Sequence, residues 1–177
     1  IPAFINDNYP GQISFDRNKI NVTTIDIEVA SDDGFPEPDK ADHRVISIAL
    51  KNNIDNTYYI WALGEFDVSK SYMKTHRVVY RKFDREDDLL INFITHWSQQ
   101  SSSPDIVTGW NVRFFDIPYL VNRINRMLGD SFAKKLSPWG LVDRQEITKK
   151  GRTQVAFDLK GISQLDYLDL FQKFGYS

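Results

Sequence analysis

The chain has 177 residues and a net charge of −2, with 41% hydrophobic and 14% aromatic residues. This composition excludes a disordered chain, and the length is sufficient for one domain with a substantial core. The lack of cysteine excludes disulfides and thiolate zinc sites, and the near-neutral charge argues against a protein that coats DNA with a broad basic surface.

The sequence carries no membrane or export signal. No run approaches the roughly 18 apolar residues needed to cross a bilayer, and residues 1–6 lack the pattern of a secretory signal. We therefore expect a cytoplasmic protein, acting as a monomer, without membrane contact. Its three histidines, His43, His76 and His96, are not at metal-ligand spacing, so any bound metal should be a hard ion held by oxygen.

The first half of the chain predicts strands and then a helix. Residues 21–30, 44–50 and 57–62 are rich in β-branched and aromatic side chains and are separated by polar turns, which predicts an antiparallel meander. A helix is predicted over residues 85–99, with Asp84 as its N-cap.

The second half predicts alternating elements. Residues 105–110 form a predicted strand, with Trp110 expected in the core, and a helix follows that Gly129 ends. A hairpin is predicted over residues 141–159, and residues 162–174 form a short strand leading into a helix. The order, three strands and then alternating helix and strand with an inserted hairpin, describes most of a ribonuclease-H-like α/β domain with a mixed sheet.

Two carboxylates form the first candidate functional feature. Asp26 and Glu28 are two residues apart on the first strand, so they share a face and lie roughly 6.5–7 Å apart. At this separation two charges repel by about 2 kcal/mol, whereas a divalent cation between them would be attracted to both. The alternative is an ordinary solvated face of an antiparallel strand.

The second feature is the segment from Gly109 to Leu120, in which Asn111, Phe115 and Asp116 open a helix. An N-cap role would explain Asp116 by itself, and packing in the core would explain Phe115. Neither alternative explains why the end of a strand carries an asparagine, an aromatic residue and an aspartate in that order.

Together these two features resemble the first two exonuclease motifs of family B DNA polymerases. The resemblance extends to Phe-Pro-Glu-Pro at 35–38, Leu-Gly-Asp at 128–130, Leu-Ser-Pro at 136–138 and Leu-Asp-Tyr-Leu-Asp-Leu at 165–170. It covers essentially the whole chain and is greatest to the polymerases of large contractile-tailed phages. It implies residence in the cytoplasm of the host cell and the remaining domains of the same polymerase as partners.

The resemblance implies a 3′→5′ proofreading exonuclease that hydrolyses the terminal phosphodiester of a primer strand by a two-metal mechanism with Mg²⁺ or Mn²⁺. Asp26 would bridge both ions, Glu28 would bind the ion on the nucleophile side, and Asp116 would hold the other.

The resemblance also implies contacts to the single-stranded 3′ end of DNA. Asn111 and Phe115 would lie beside the terminal nucleotide and Phe35 would stack on unpaired bases, although core packing remains the alternative for both phenylalanines. The hairpin tip would help to part primer from template, or else is a solvated turn; its residues are Lys149, Lys150, Gly151 and Arg152, and Gly151 would allow a positive φ. Basic residues elsewhere are expected on the surface; these are Arg123, Arg126, Lys134 and Lys135.

The third exonuclease motif of the family, Tyr-x3-Asp, is not found after Asp116. Tyr80 and Asp84 have the spacing but precede the second motif, so we treat them as a coincidental match. We expect residues 1–20 to be a connecting segment. Residues 21–177 are expected to be an exonuclease domain cut before its last carboxylate, which binds fewer than the two metal ions of a complete site and is weak or inactive alone.

Two other functions remain open. The chain could be a non-catalytic ribonuclease-H-like module that binds nucleic acid, although retention of all three carboxylates argues against a decayed site. A calcium-binding structural domain would need closely spaced oxygen ligands in one loop, which the sequence lacks.

Overall fold

The computed structural model describes residues 2–11, 14, 16–31, 34–73, 75–149 and 151–175. In these ranges the strands are β1 (Val22–Val29), β2 (Val45–Asn52), β3 (Thr57–Ala62), β4 (Arg77–Lys82), β5 (Ile106–Gly109), β6 (Val142–Lys149), β7 (Arg152–Leu159) and β8 (Ser163–Asp166). The α-helices are α1 (Pro2–Asn8), α2 (Glu86–Trp97), α3 (Asp116–Leu128), α4 (Asp130–Ala133) and α5 (Tyr167–Phe174). None of these helices is long and apolar enough to cross a bilayer.

Six strands form one mixed sheet in the order β4-β3-β2-β1-β5-β8. The β1, β2 and β3 strands are antiparallel, so the predicted meander is confirmed. The β5 strand is parallel to β1, and β8 is parallel to β5. Strand β4 was not predicted; it lies parallel to β3 at one edge of the sheet.

The central strand β1 has one apolar and one polar face, as its alternation predicted. Ile25 and Ile27 are buried, whereas Asp26 and Glu28 are exposed. Helices α2 and α3 contribute to the same apolar core as the two isoleucines, and the buried residues of α2 are Leu89, Leu90, Phe93, Ile94 and Trp97. The strand is therefore held by its apolar face while its acidic residues face away from the core.

The predicted N-cap of α2 is wrong. The helix begins at Glu86, and Arg85 occupies the N-cap position without a side-chain hydrogen bond to the helix. Asp84 is exposed instead, and its Oδ1 atom lies 3.5 Å from the Nζ atom of Lys82. The acidic first turn, beginning with Glu86, nevertheless suits the positive end of the helix dipole.

The predicted hairpin is confirmed and forms a separate two-stranded sheet from β6 and β7. Its inner side is apolar and packs against α3 through β7, where Val155, Phe157 and Leu159 are buried. The φ angle of Gly151 is +77°, so the predicted positive φ at the turn is confirmed.

A buried ion pair joins α2 to α3. The Nε and Nη2 atoms of Arg123 donate to the two carboxylate oxygens of Glu86 at 2.8 and 2.6 Å, and Glu86 also accepts the N–H of Val45 at 2.7 Å. The expectation that Arg123 lies on the surface is wrong, because both side chains of the pair are only 8% exposed. A guanidinium can be buried here because its donors find carboxylate and carbonyl acceptors.

We expect Glu86→Gln to destabilise the fold by about 3 kcal/mol, because it leaves the Arg123 charge buried without its counterion. The measurement is urea unfolding at neutral pH. Glu65→Gln is the matched control, since Glu65 also forms an ion pair, with Lys82, but is 82% exposed. This substitution should cost less than about 1 kcal/mol of stability. Equal losses in the two variants would show that the buried pair carries no special stability.

Candidate active site

The site lies where β1 and β5 separate. The two strands pair only from Val22 to Thr24 on β1, and Gly109 then ends β5. A Cβ atom on Gly109 would lie 2.6 Å from the carbonyl oxygen of Ile25, so glycine is required for this close approach. Beyond this point β5 no longer pairs with β1, so the backbone N–H of Ile27 can donate a hydrogen bond to another group.

Asp116 is that partner. Its Oδ1 atom accepts a hydrogen bond from the N–H of Ile27 at 3.1 Å, and the residue is 3% exposed. The N-cap position of α3 is occupied by Phe115, and no side chain caps the helix. The capping alternative for Asp116 is therefore excluded, because its carboxylate reaches β1 rather than the first turn of its own helix.

The contact places the Asp116 carboxylate beside the strand that carries the other two acids. Ile27 is the residue between Asp26 and Glu28. Burial raises the pKa of Asp116 to about 7, and the negative charges of Asp26 and Asp166 act in the same direction, whereas the N–H of Ile27 opposes them. A carboxyl in this state is readily stabilised in its ionised form by a cation.

Asp26 and Glu28 lie on the exposed face of β1, as predicted, and the register of β1 against β2 shifts between Glu28 and Val29. Among the residues that the structure describes, no three acidic or histidine side chains are close enough to form a ready-made metal cluster. Asp26, Glu28 and Asp116 have oxygen donors of the kind that hard divalent ions prefer, but they do not form a preassembled metal site.

Asn111, in the turn between β5 and α3, has an unusual backbone conformation. Its φ angle is +59°, in the left-handed region that asparagine adopts more readily than most residues. Its N–H donates to Asp166 Oδ1 at 3.0 Å, and the N–H of Arg113 donates to Asp166 Oδ2 at 3.0 Å. The turn between β5 and α3 is thus fixed by a carboxylate from the end of β8.

Asp166 is the residue of this region whose role the sequence analysis missed. It is 5% exposed, and its Oδ1 atom also accepts the N–H of Leu168, which caps α5. The only local signal was an aspartate placed before a helical pattern, and that signal predicts the cap but not the contacts to residues more than 50 positions earlier.

The two candidate aromatic residues are adjacent in space. The ring centroids of Phe35 and Phe115 lie 5.0 Å apart, and Phe115 also contacts Tyr119 at 5.8 Å. Phe35 is 78% exposed, which excludes core packing for this residue, whereas Phe115 is half-buried. An apolar, ring-sized surface is therefore available to solvent next to the start of α3.

Trp110 is not in the core, so that prediction is wrong. It is 54% exposed, and its ring lies 5.9 Å from those of Tyr167 and Phe171 on α5. The strand ends at Gly109, one residue earlier than predicted, so Trp110 lies outside the strand and its side chain does not follow the alternation of the sheet.

The predicted basic tip of the hairpin is described only in part. Lys150 lies outside the described residues, and so do the side chains of Lys149 and Arg152, whose backbones end β6 and begin β7. A contact between this tip and phosphates therefore stays a prediction.

Comparison with known proteins agrees with this geometry. Residues 5–177 match the family described as DNA polymerase family B, exonuclease domain. The DNA-directed DNA polymerase of Escherichia phage RB69 is 36% identical over 99% of this chain, and that of Enterobacteria phage T4 is 34% identical over 99%. The DNA polymerase delta catalytic subunit of Dictyostelium discoideum is 32% identical over 82% of the chain.

The chain spans 21% of the length of each of the two phage relatives. The predicted fold, a ribonuclease-H-like exonuclease fold with a mixed sheet and an inserted hairpin, is confirmed by the family match together with the observed topology. The chain belongs to the exonuclease domain family of family B DNA polymerases.

Proposed function

We propose that this chain is the 3′→5′ proofreading portion of a DNA-directed DNA polymerase and that it hydrolyses the terminal phosphodiester of a single-stranded primer end. The observation that supports this most is the hydrogen bond from Ile27 to Asp116, because it brings a third carboxylate to the strand of Asp26 and Glu28. The family match supports the same reaction.

Asp26, Glu28 and Asp116 are the residues that would hold the metal ions, which we propose to be Mg²⁺ or Mn²⁺. All three supply oxygen donors, and the raised pKa of Asp116 reflects burial and negative neighbours that a divalent ion would offset. When bound, two such ions activate water and stabilise the charge that develops on the phosphate. The protein would contribute by bringing the Asp116 carboxylate to β1, whose exposed face carries Asp26 and Glu28.

We further propose that the exposed ring of Phe35 stacks on an unpaired base while Phe115 and Asn111 lie beside the terminal nucleotide. Stacking suits proofreading because every base has a π face, so any mispaired end can be held. The observation that supports this is the exposure of Phe35 together with its 5.0 Å contact to Phe115. In this proposal the basic hairpin tip meets the phosphates of the separated strand.

The remaining proposals concern the surroundings of the domain. We propose that residues 21–177 form the exonuclease domain after a connecting segment, residues 1–20. The partners would be primer DNA and the other domains of the same monomeric polymerase, since the relatives are much longer than this chain. The host-cell cytoplasm is the proposed compartment, because the two phage relatives are named DNA-directed DNA polymerases.

We expect Asp26→Ala, Glu28→Ala and Asp116→Ala each to lower exonuclease activity by at least about a hundredfold, because each removes charge that stabilises the transition state. The assay follows release of the 3′ nucleotide from end-labelled single-stranded DNA with Mn²⁺, in this chain and in a polypeptide extended to the length of its relatives. Asp84→Ala is the control, since Asp84 is an exposed acid with the Tyr-x3-Asp spacing that lies outside the site.

Full activity in the Asp26→Ala and Asp116→Ala variants of an active extended form would show that the reaction is assigned to the wrong residues. An extended form without any nuclease activity would favour a non-catalytic nucleic-acid-binding module instead.

We expect Asp116→Asn to stabilise the metal-free chain at alkaline pH. The folded carboxyl has a pKa of about 7, so it keeps a proton that the unfolded chain releases, and folding becomes less favourable as pH rises towards that value. The stability of the variant relative to the unaltered chain should therefore rise by roughly 3 kcal/mol from about pH 4 to about pH 8. The measurement is urea unfolding in EDTA.

With Mn²⁺ added, the unaltered chain should become more stable than the Asp116→Asn variant, because only the unaltered chain has an ionised Asp116 that can bind the ion. Asp84→Asn serves as the control and should respond to Mn²⁺ like the unaltered chain. If Mn²⁺ stabilised the Asp116→Asn variant and the unaltered chain equally, Asp116 would not be a metal ligand.

We expect Phe35→Ala to weaken binding of a short oligothymidylate between about fivefold and a hundredfold, the range of one lost base stack. Fluorescence anisotropy of a labelled oligonucleotide in EDTA measures the affinity without hydrolysis. Phe66→Ala is the matched control, because Phe66 is also exposed but its ring contacts that of Tyr80. Equal affinity of the two variants for the oligonucleotide would show that Phe35 does not contact the DNA.

A further inference from the structure

One face of α3 is covered by donors that bind the backbone of a single loop, residues 34–43. Each acceptor is a main-chain carbonyl oxygen. The bonds are Tyr119 Oη to His43 at 2.7 Å, Asn122 Nδ2 to Pro38 at 2.9 Å, Arg123 Nη1 to Ala41 and to Asp42 at 3.0 Å each, and Arg126 Nη1 to Lys40 at 3.0 Å. Side chains of one helix thus satisfy five carbonyls of this loop.

The spacing of these donors places them on one stripe of the helix. Positions 119, 122, 123 and 126 follow the i, i+3, i+4, i+7 pattern that usually marks an apolar face. Here the stripe consists of a hydroxyl, an amide and two guanidinium groups, which can all donate hydrogen bonds. A loop packed on such a face must present its carbonyls to the helix.

The loop is also held in a backbone conformation that it would not adopt freely. Ala41 is completely buried and has a φ angle of +41°, in the left-handed region that disfavours residues with a Cβ atom. Its N–H donates to the carbonyl oxygen of Glu37 at 2.9 Å while its own carbonyl accepts from Arg123. Such a conformation persists when the surrounding contacts determine it from several sides.

The fixed part of the loop follows directly on Phe35. Pro36 is buried, and the first carbonyl bound by α3 is that of Pro38, three residues after Phe35. Phe115, the aromatic partner of Phe35, immediately precedes α3. The two rings therefore take their positions from the same helix, Phe115 through the chain and Phe35 through the bound loop.

We propose that Asn122 and Arg126 are positioning residues for the DNA 3′ end, which act by holding the 34–43 loop so that Phe35 is ready to stack on a base. This inference rests on the proposed function of Phe35 and extends it to residues that do not touch DNA. A ring that is already in place loses less conformational freedom on binding, so the loop contacts strengthen DNA binding.

The test compares two asparagines of the same helix. Asn122→Ala removes the donor to Pro38, whereas Asn125→Ala changes an exposed side chain outside the stripe. We expect Asn122→Ala to weaken binding of a labelled oligothymidylate in EDTA about fivefold, which is the usual effect of losing one hydrogen bond. Asn125→Ala should leave the affinity unchanged. Arg126→Ala, at an exposed position, provides a second variant if Asn122→Ala fails to fold.

A double-mutant cycle separates positioning from general stability. In the Phe35→Ala background, Asn122→Ala should change the affinity by less than about 1.5-fold, because the ring through which it acts is gone. An undiminished fivefold loss in that background would overturn the inference, since Asn122 would then act independently of Phe35.

Amide hydrogen exchange gives a readout that does not depend on DNA. The N–H groups of Lys40 and Ala41, which both donate to Glu37 within the loop, should exchange faster in Asn122→Ala than in Asn125→Ala. Equal exchange would overturn the inference.

The two proposals fail in different ways. If Phe35→Ala weakens binding but Asn122→Ala and Arg126→Ala do not, the positioning role is wrong and the proposed function stands. If the unaltered chain does not bind the oligothymidylate, or Phe35→Ala has no effect on binding, the proposed DNA contact itself is wrong.

Discussion

The hydrogen bond between the N–H of Ile27 and the carboxylate of Asp116 is the constraint on which the site depends. It joins the middle of the central strand to the first residue of a helix 89 positions later along the chain. A side-chain carboxylate replaces a neighbouring strand at this position, and it can do so only because β5 stops at Gly109. The opening of the sheet and the position of the third acid therefore have the same cause.

This arrangement is costly for folding alone. Burial of Asp116 near Asp26 and Asp166 raises its pKa, and the backbone N–H groups of Ile27 and of Asp116 itself offset only part of that cost. A carboxylic acid that served only to cap a helix would remain in water, where its charge is solvated. The buried position becomes favourable for an ionised carboxylate when a cation is present, so the geometry agrees with a site that is completed by metal ions.

The sequence was sufficient for the parts of the fold that depend on local periodicity. Alternation in β1, the polar turns of the meander and the glycines at 129 and 151 each have a local cause, and each was predicted correctly. Strand β4 was missed, because its burial is intermediate along most of its length and it gives no clear alternation. Asp84 was assigned as a cap because it precedes a helix, but the helix begins one residue later than that role requires.

The sequence predicted the family and a set of candidate site residues, but not the contacts that surround them. The order of Asp26, Glu28, Asn111 and Asp116 identified the family, whereas the role of Asp166 depends on contacts with Asn111, 55 positions away. Arg123 was misplaced for a related reason. An arginine on a helix predicts a solvent-exposed face, and only the tertiary structure brings Glu86 and the carbonyls of the 34–43 loop to it.

Helix α3 connects the residues proposed for catalysis with those proposed for DNA binding. Its first residue reaches β1, its apolar side joins the core, and its polar stripe binds the loop that follows Phe35. A displacement of this helix would move Asp116 and the 34–43 loop together, so their relative positions would change little. In the proposed function, the carboxylates act on the phosphodiester while the ring of Phe35 holds the attached base. Helix α3 would then keep Asp116 and the ring of Phe35 at a constant distance for any base at the primer end.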